Sequence, residues 1–436
     1  MPGSSSADAA HPHTAATTAP ASRRQPVPEV AQAPTRPDAE RTTSPSARAA
    51  PARAAPARSA PAPPPRDPLF DNAKYLAIVL VAVGHAWEPL RDENRLVHAL
   101  YMLVYAFHMP AFVMISGYFS RSFDTRPDRL RRLITGVVVP YILFETGYTL
   151  FRRWVGDDPG APVSLLDPWY VMWFLPALFL WRLTTPLWLT LREPLPLALL
   201  VAALALLSPD IGDDLDLQRV LQFLPFFVLG LRLRRNHLDL LHHRAVRLLA
   251  LPLFAAALLT AYWAVPRVHH AWFYRDASAQ ELGAPWWTGP VMTCLMLVCS
   301  LALTAAFFAL VPRRHRWFTA LGTGTMYGYV LHGFLVKGAL FRGGYDLEWV
   351  HSWAGVVAVT VAAAVAVTLL CTPPVRRVFR YVVEPRLRWA FRPDDRADTE
   401  TGTSNGTSTE PGPRPGGDRP AAPAPLAAPR GEPEQR

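Results

Sequence analysis

Two residues in the first long apolar stretch of this 436-residue chain are of types that a lipid-facing helix rejects. In FDNAKYLAIVLVAVGH, Lys74 and His85 stand about three helical turns apart, so they share one face at a separation of roughly 16 Å along the axis. Asp71 lies one turn before Lys74 on nearly the same face. A cation near one end and an imidazole deep inside cannot touch each other. They can serve one long ligand with an anionic head and a reactive tip, and a coenzyme A thioester has that shape. A neutral imidazole accepts a proton near pH 7, which is what a hydroxyl needs before it attacks a carbonyl. Taken alone, Lys74 reads as a snorkelling side chain and His85 as a packing residue. Ionisable residues together on one face of an apolar helix favour a site.

The second stretch, VHALYMLVYAFHMPAFVMISGYFS, adds more such groups. Tyr101, Tyr105, His108 and Phe112 form one stripe, and Pro110 frees a carbonyl and kinks the helix beside His108. Ser116 and Gly117 end it with small residues suited to close packing. Further along, Glu145 in PYILFETGY is a carboxylate inside an apolar run, suited to orienting an imidazole or holding a hydroxyl; a paired packing acid is the alternative. Tyr329 and His332 share a later helix face after Gly322 and Gly324, at a depth comparable with His85. A tetrahedral oxyanion needs donors, and His108, Ser116 and Tyr329 are the candidates.

These residues must be carried by membrane helices. Half of the chain is hydrophobic, only 18% is charged, and about half of the 45 prolines crowd into the two ends. Apolar runs near 69–87, 97–119, 133–151, 170–190, 195–208, 219–233, 247–265, 290–311, 318–340 and 353–372 predict an all-α integral membrane domain of about ten transmembrane helices over residues 67–390. Residues 1–66 and 391–436 read as disordered tails, rich in Pro, Ala, Ser and Arg. The spelling Asn405-Gly406-Thr407 reads as chance in such a tail. No cleavable leader is expected, because the first tail lacks an apolar core.

The net charge of +10 comes from arginines in tails and short loops, so it points to a membrane face and not to nucleic acid. RSFDTRPDRLRR, RLRRNH with HHRAVR, RRHR and Arg376–Arg388 are basic, while the alternate loops EPLRDENR, GDDPGAPVSLLD, SPDIGDDLD and RDASAQELG are acidic or mixed. That alternation puts both termini in the cytoplasm of a multi-pass plasma (inner) membrane protein. Cys294, Cys299 and Cys371 lie in apolar runs without metal-ligand spacing. His242-His243 and His269-His270 sit in loops with no carboxylate set, so no metal is expected. Trp169, Trp173, Trp286 and Trp287 read mostly as an interfacial belt, from which one or two rings could stack on a sugar.

FDNAKYLAIVLVAVGH followed by FHMPAFVMISGYFSR resembles acyltransferase family 3 of integral membrane proteins, nearest to its fucose 4-O-acetylase-like branch. LITGVVVPY, PWYVMWFLPALFLW and LGTGTMYGYVLH extend the resemblance over most of residues 67–385. It implies transfer of an acyl group, usually acetyl from acetyl-CoA, to a hydroxyl of a carbohydrate or glycoconjugate. The family's essential basic residue and His map to Lys74 and His85, and its arginines after the SGY motif map to Arg121, Arg126 or Arg129. Lys74 stands where many relatives carry Arg, which replaces a bidentate fork by a point charge. The expected site is therefore His85, His108, Glu145 and His332 for chemistry, with Asp71, Lys74 and the three arginines for the donor. A transporter or flippase of a sugar or lipid-linked sugar is the rival reading.

Overall fold

The computed structural model describes residues 67–391, apart from 210, 213 and 386. The expected tails and the Asn405 sequon lie outside the described residues, except for Phe391. Among them every regular element is a helix, and there is no strand. The long elements are α1 (Pro68–Trp87), α2 (Arg95–Ser120), α3 (Pro127–Val155), α4 (Phe174–Leu183), α5 (Pro194–Leu207), α6 (Leu217–Arg232), α7 (Arg244–Ala264), α8 (Thr288–Leu310), α9 (Thr325–Phe341), α10 (Trp353–Leu370) and the basic α11 (Pro373–Val383). A helix stands at each of the ten expected positions. Six of them are long and apolar enough to cross a bilayer alone: α1 with its extension to Leu90, α2, α3, α7, α8 and α10. The other four are shorter. The fourth expected span is broken, because Pro168–Trp173 is non-helical and a separate short helix, Thr185–Thr190, follows α4.

Local chemistry sets the helix starts. The Asp67 carboxylate accepts from the Leu69 N–H and caps α1, with Pro68 at the first position. The Asn94 side chain accepts from Leu96 and Val97 and caps α2, and Ser352 caps α10. Only 6% of the apolar window of α7 and 17% of that of α10 is buried inside the protein. Helices apolar on every face with so little protein cover need lipid around them.

By contrast α1 is mostly buried, and polar ties fix it. Tyr75 and Trp87 bond Thr368 and Thr360 of α10. Asn72, fully buried, donates to the Pro312 and Arg314 carbonyls and accepts from Thr319, locking the basic loop 312–319 to the start of α1. Gly322 lies directly on the backbone of Asp71.

Helices α2 and α6 cross at Gly117 and Gly230. A Cβ on either glycine would run into a backbone carbonyl of the opposite helix, Phe227 or Met114. The close approach that the small residues of the SGY segment predicted is therefore present, and it leaves no room for a methyl group. Gly117→Val should cost about 1–3 kcal/mol through overpacking, read as a lowered melting temperature in detergent. Gly136→Ala is the control and should leave it unchanged, because a Cβ there meets nothing within 4 Å.

Candidate active site

Two cavities meet at His85. The first, of about 280 Å³, runs along α1 from Lys74 past Ile78 and Val81 to His85 and includes Ser116 and Arg182. The second, of about 410 Å³, begins at His85 and Glu88 and extends among loops to Asp167, Asp216 and Asp276. His85, Met109 and Trp173 line both. The first cavity reaches the N-terminal end of α1 and the second the C-terminal end, so the imidazole stands between two ends of the bundle. Lys74 and His85 thus share one cavity, as their spacing required.

The surroundings of His85 fix its ring. Its Nδ1 lies 3.2 Å from the Tyr105 hydroxyl and 3.7 Å from the Glu88 carboxylate. Glu88 also pairs with Lys337 at 3.6 Å, and the Lys337 ammonium sits 4.1 Å from the centre of the Tyr170 ring. The Tyr170 ring packs 4.7 Å from the imidazole. A carboxylate beside Nδ1 favours a proton there, which leaves Nε2 as the basic nitrogen. Glu88 was read from the sequence only as a loop charge. Its placement makes it a positioning residue for His85. Glu88→Gln should lower kcat about tenfold or more while leaving KM unchanged, and Glu88→Asp should recover part of the loss. Steady-state kinetics on purified protein separates the two constants.

The other two candidate histidines are tied to backbone carbonyls. His108 Nδ1 lies 2.8 Å from the Val104 carbonyl, and His332 Nδ1 contacts the Gly328 and Tyr329 carbonyls. Carbonyl oxygens only accept, so each Nδ1 carries the proton and each Nε2 offers a lone pair. In its neutral form His108 offers Nε2 as an acceptor, and it lines the loop-side cavity. The His332 ring is 5.5 Å from that of His85, and its Nε2 is buried without a partner. It lines a separate apolar cavity of about 220 Å³ between α1, α9 and α10.

Tyr329 lines the Lys74-side cavity, but its hydroxyl donates to the Val171 carbonyl. Of the three oxyanion candidates, Ser116 lines the cavity with a hydroxyl that bonds no carbonyl among the described residues. Glu145 is buried as expected, yet it lines neither main cavity. Both its oxygens accept from the Trp169 N–H at 3.1 Å. It holds the broken segment 168–173 in place and does not touch an imidazole.

In the first cavity, Lys74 pairs with Asp71 at 2.8 Å. The three loop arginines are not in this cavity. Arg121 donates to the Tyr118 and Leu233 carbonyls and lies over the Tyr118 ring. Arg126 is exposed and bonds Asp124, whose carboxyl it holds below the usual range. Arg129 lies outside the cavity wall as well. The second cation is instead Arg182, on α4, which donates to the Ser120 hydroxyl. Its signal was visible: a lone arginine inside PALFLWRL, where an apolar helix tolerates none without use.

The loop-side cavity is built under strain. Among the described residues five non-glycines have positive φ: Asp157, Tyr170, Leu215, Asp216 and Arg275. Tyr170 and Asp216 line this cavity, and Leu215 and Arg275 adjoin residues that do. Left-handed non-glycine residues cost about 1–3 kcal/mol each and gather at functional sites. Arg275 is buried, bonds Ser300 and lies over Phe223 and Phe226, and burial pulls its guanidinium down to about 10. Of the four tryptophans, Trp169 and Trp173 line this cavity, while Trp286 and Trp287 are exposed.

His270 departs from the solvated reading. Its ring packs on His98, His269 and Tyr101, and burial with the Arg91 charge lowers its pKa to about 4. With Asp92 and His98 it places ligand atoms within 4.8 Å of one another. The three cysteines are free.

A family model described as acyltransferase domain matches residues 68–372. Nodulation protein NolL of Sinorhizobium fredii is 25% identical over 337 residues, covering 70% of this chain and 86% of that protein. No solved structure matches the chain.

Proposed function

The chain belongs to this acyltransferase family, and from that premise we propose that it moves acetyl from acetyl-CoA to a hydroxyl of a carbohydrate or glycoconjugate. The carrying observation is a single imidazole shared by two cavities of opposite character. Lys74 and Arg182 are the charged residues lining the first, which suits the phosphates and narrow arm of an acyl-CoA. Carboxylates, tyrosines and two tryptophans line the second, which suits a ring bearing hydroxyls. The sugar-carrier reading is set aside, because membership in an acyltransferase family makes the protein an enzyme.

In the mechanism we propose, His85 Nε2 removes the proton of the acceptor hydroxyl. The oxygen attacks the thioester carbonyl, and the Ser116 hydroxyl stabilises the oxyanion. The C–S bond then breaks, and the departing thiolate takes the proton from His85. Glu88 holds the imidazole and steadies its positive charge during the step. Lys74 and Arg182 hold the anionic donor, with Asp71 setting the Lys74 ammonium.

We also read all ten helices α1–α10 as crossing the plasma (inner) membrane, with the basic loops and both tails in the cytoplasm. Donor then enters from the cytoplasm and acceptor from the opposite face. The test is incubation of membranes holding the protein with isotopically labelled acetyl-CoA and a panel of oligosaccharides. Mass spectrometry should find labelled ester on a carbohydrate oxygen; label found on no carbohydrate would overturn the reading.

A further inference from the structure

The chain as a whole is basic, with 44 Lys and Arg against 34 Asp and Glu. The loop-side cavity inverts that balance. Glu88, Asp167, Asp216 and Asp276 line it, against Arg219 as the one cation of the lining. Each of the four carboxylates comes from a different one of the four acidic loops noted in the sequence, so the convergence is a property of the fold and not of one charged segment. Arg219 sits between Asp216 at 3.3 Å and Asp276 at 2.6 Å, and so is already shared by two carboxylates. Glu88 is engaged by His85 and Lys337. Asp167 stands exposed at the rim. Across His85 the other cavity has two cations and no carboxylate in its lining. An anion is thus drawn to one side of the imidazole and repelled from the other.

We propose that the acceptor is a cationic carbohydrate, one that carries a free protonated amino group and lacks phosphate, sulfate or carboxylate. This rests on the carbohydrate reading above and narrows it. Excess carboxylates in a partly enclosed cavity hold an ammonium by charge-assisted hydrogen bonds and exclude anionic sugars. The same contact directs the chemistry to oxygen. A bound ammonium has no lone pair and cannot attack the thioester, whereas the neighbouring hydroxyl gives its proton to His85. The acyl–oxygen bond forms as the C–S bond breaks, the proton passes from His85 to the thiolate, and the ammonium keeps its own proton throughout.

The experiment compares three matched oligosaccharide acceptors with labelled acetyl-CoA and the full-length protein in membranes: a glucosamine oligomer, its N-acetylated form and a hexuronic acid oligomer. The expected kcat/KM for the glucosamine oligomer exceeds that for the N-acetylated form by about tenfold, the size of one charge-assisted hydrogen bond, with the uronic acid lowest. Asp167→Asn should narrow the ratio between the first two acceptors, Asp167→Glu should keep it, and added salt should narrow it. Equal or inverted preference, or a ratio unmoved by Asp167→Asn, overturns the charge proposal while leaving the carbohydrate reading intact. Transfer to no carbohydrate at all overturns both.

Discussion

Replacing His85 with alanine is expected to lower acyl transfer by about 10²–10⁴-fold, the range that one positioned general base supplies. The expectation follows from position. His85 is the titratable residue that lines both cavities, and its Nδ1 is engaged by Tyr105 and Glu88, which leaves Nε2 as the basic nitrogen. No second base can take over from the same place. His108 lines only the loop-side cavity, and His332 lines neither. The variant should still fold, since His85 is partly open to the cavities and its removal takes no packing from the Gly117–Gly230 crossing. Label transfer per mole of purified protein, with a melting curve beside it, checks both statements. Turnover close to that of the unaltered protein would contradict the assignment.

The second large effect is expected from the cations of the Lys74-side cavity. Lys74→Ala and Arg182→Ala should each raise the KM for acyl-CoA about tenfold to a hundredfold, because a charge-assisted hydrogen bond is worth about 1.5–3 kcal/mol. Neither should change the KM for the acceptor, whose proposed place is the cavity beyond His85. Arg121→Ala and Arg126→Ala should leave the KM for acyl-CoA unchanged, since Arg121 clamps the end of α2 and Arg126 bonds Asp124. Arg182 also bonds Ser120, so its variant needs a melting curve to separate lost grip from loosened packing. Initial-rate kinetics with each substrate varied in turn separates these outcomes.

Much of this was legible in the sequence. Apolar runs located a helix at each of ten positions, and six of these helices are long and apolar enough to cross a bilayer. The Lys74–His85 spacing placed both on one face, because helical geometry is local. What stayed hidden depends on contacts between distant segments. Four acidic loops announced a membrane face, but nothing in their spelling says that Glu88, Asp167, Asp216 and Asp276 line one cavity. Glu145 carried the right signal for a buried acid, yet its oxygens serve the backbone of Trp169. Tyr329 lies on the cavity wall, with its hydroxyl already committed to Val171. Tyr170 breaks the fourth helix with a left-handed backbone that no rule assigns to tyrosine. Arg182 was readable as a lone charge in an apolar helix, and the more conspicuous arginines after the SGY segment lie outside the cavity that it lines.

The central claim is that one imidazole joins a donor cavity at one end of the bundle to an acceptor cavity at the other. The most direct measurement uses vesicles of known orientation, with labelled acetyl-CoA on one side and an impermeant carbohydrate acceptor on the opposite side. Labelled acceptor is expected when acetyl-CoA faces the Lys74 end and none when the two are exchanged, with His85→Ala inactive in both arrangements. Transfer that requires donor and acceptor on the same side, or that persists in His85→Ala, would contradict it.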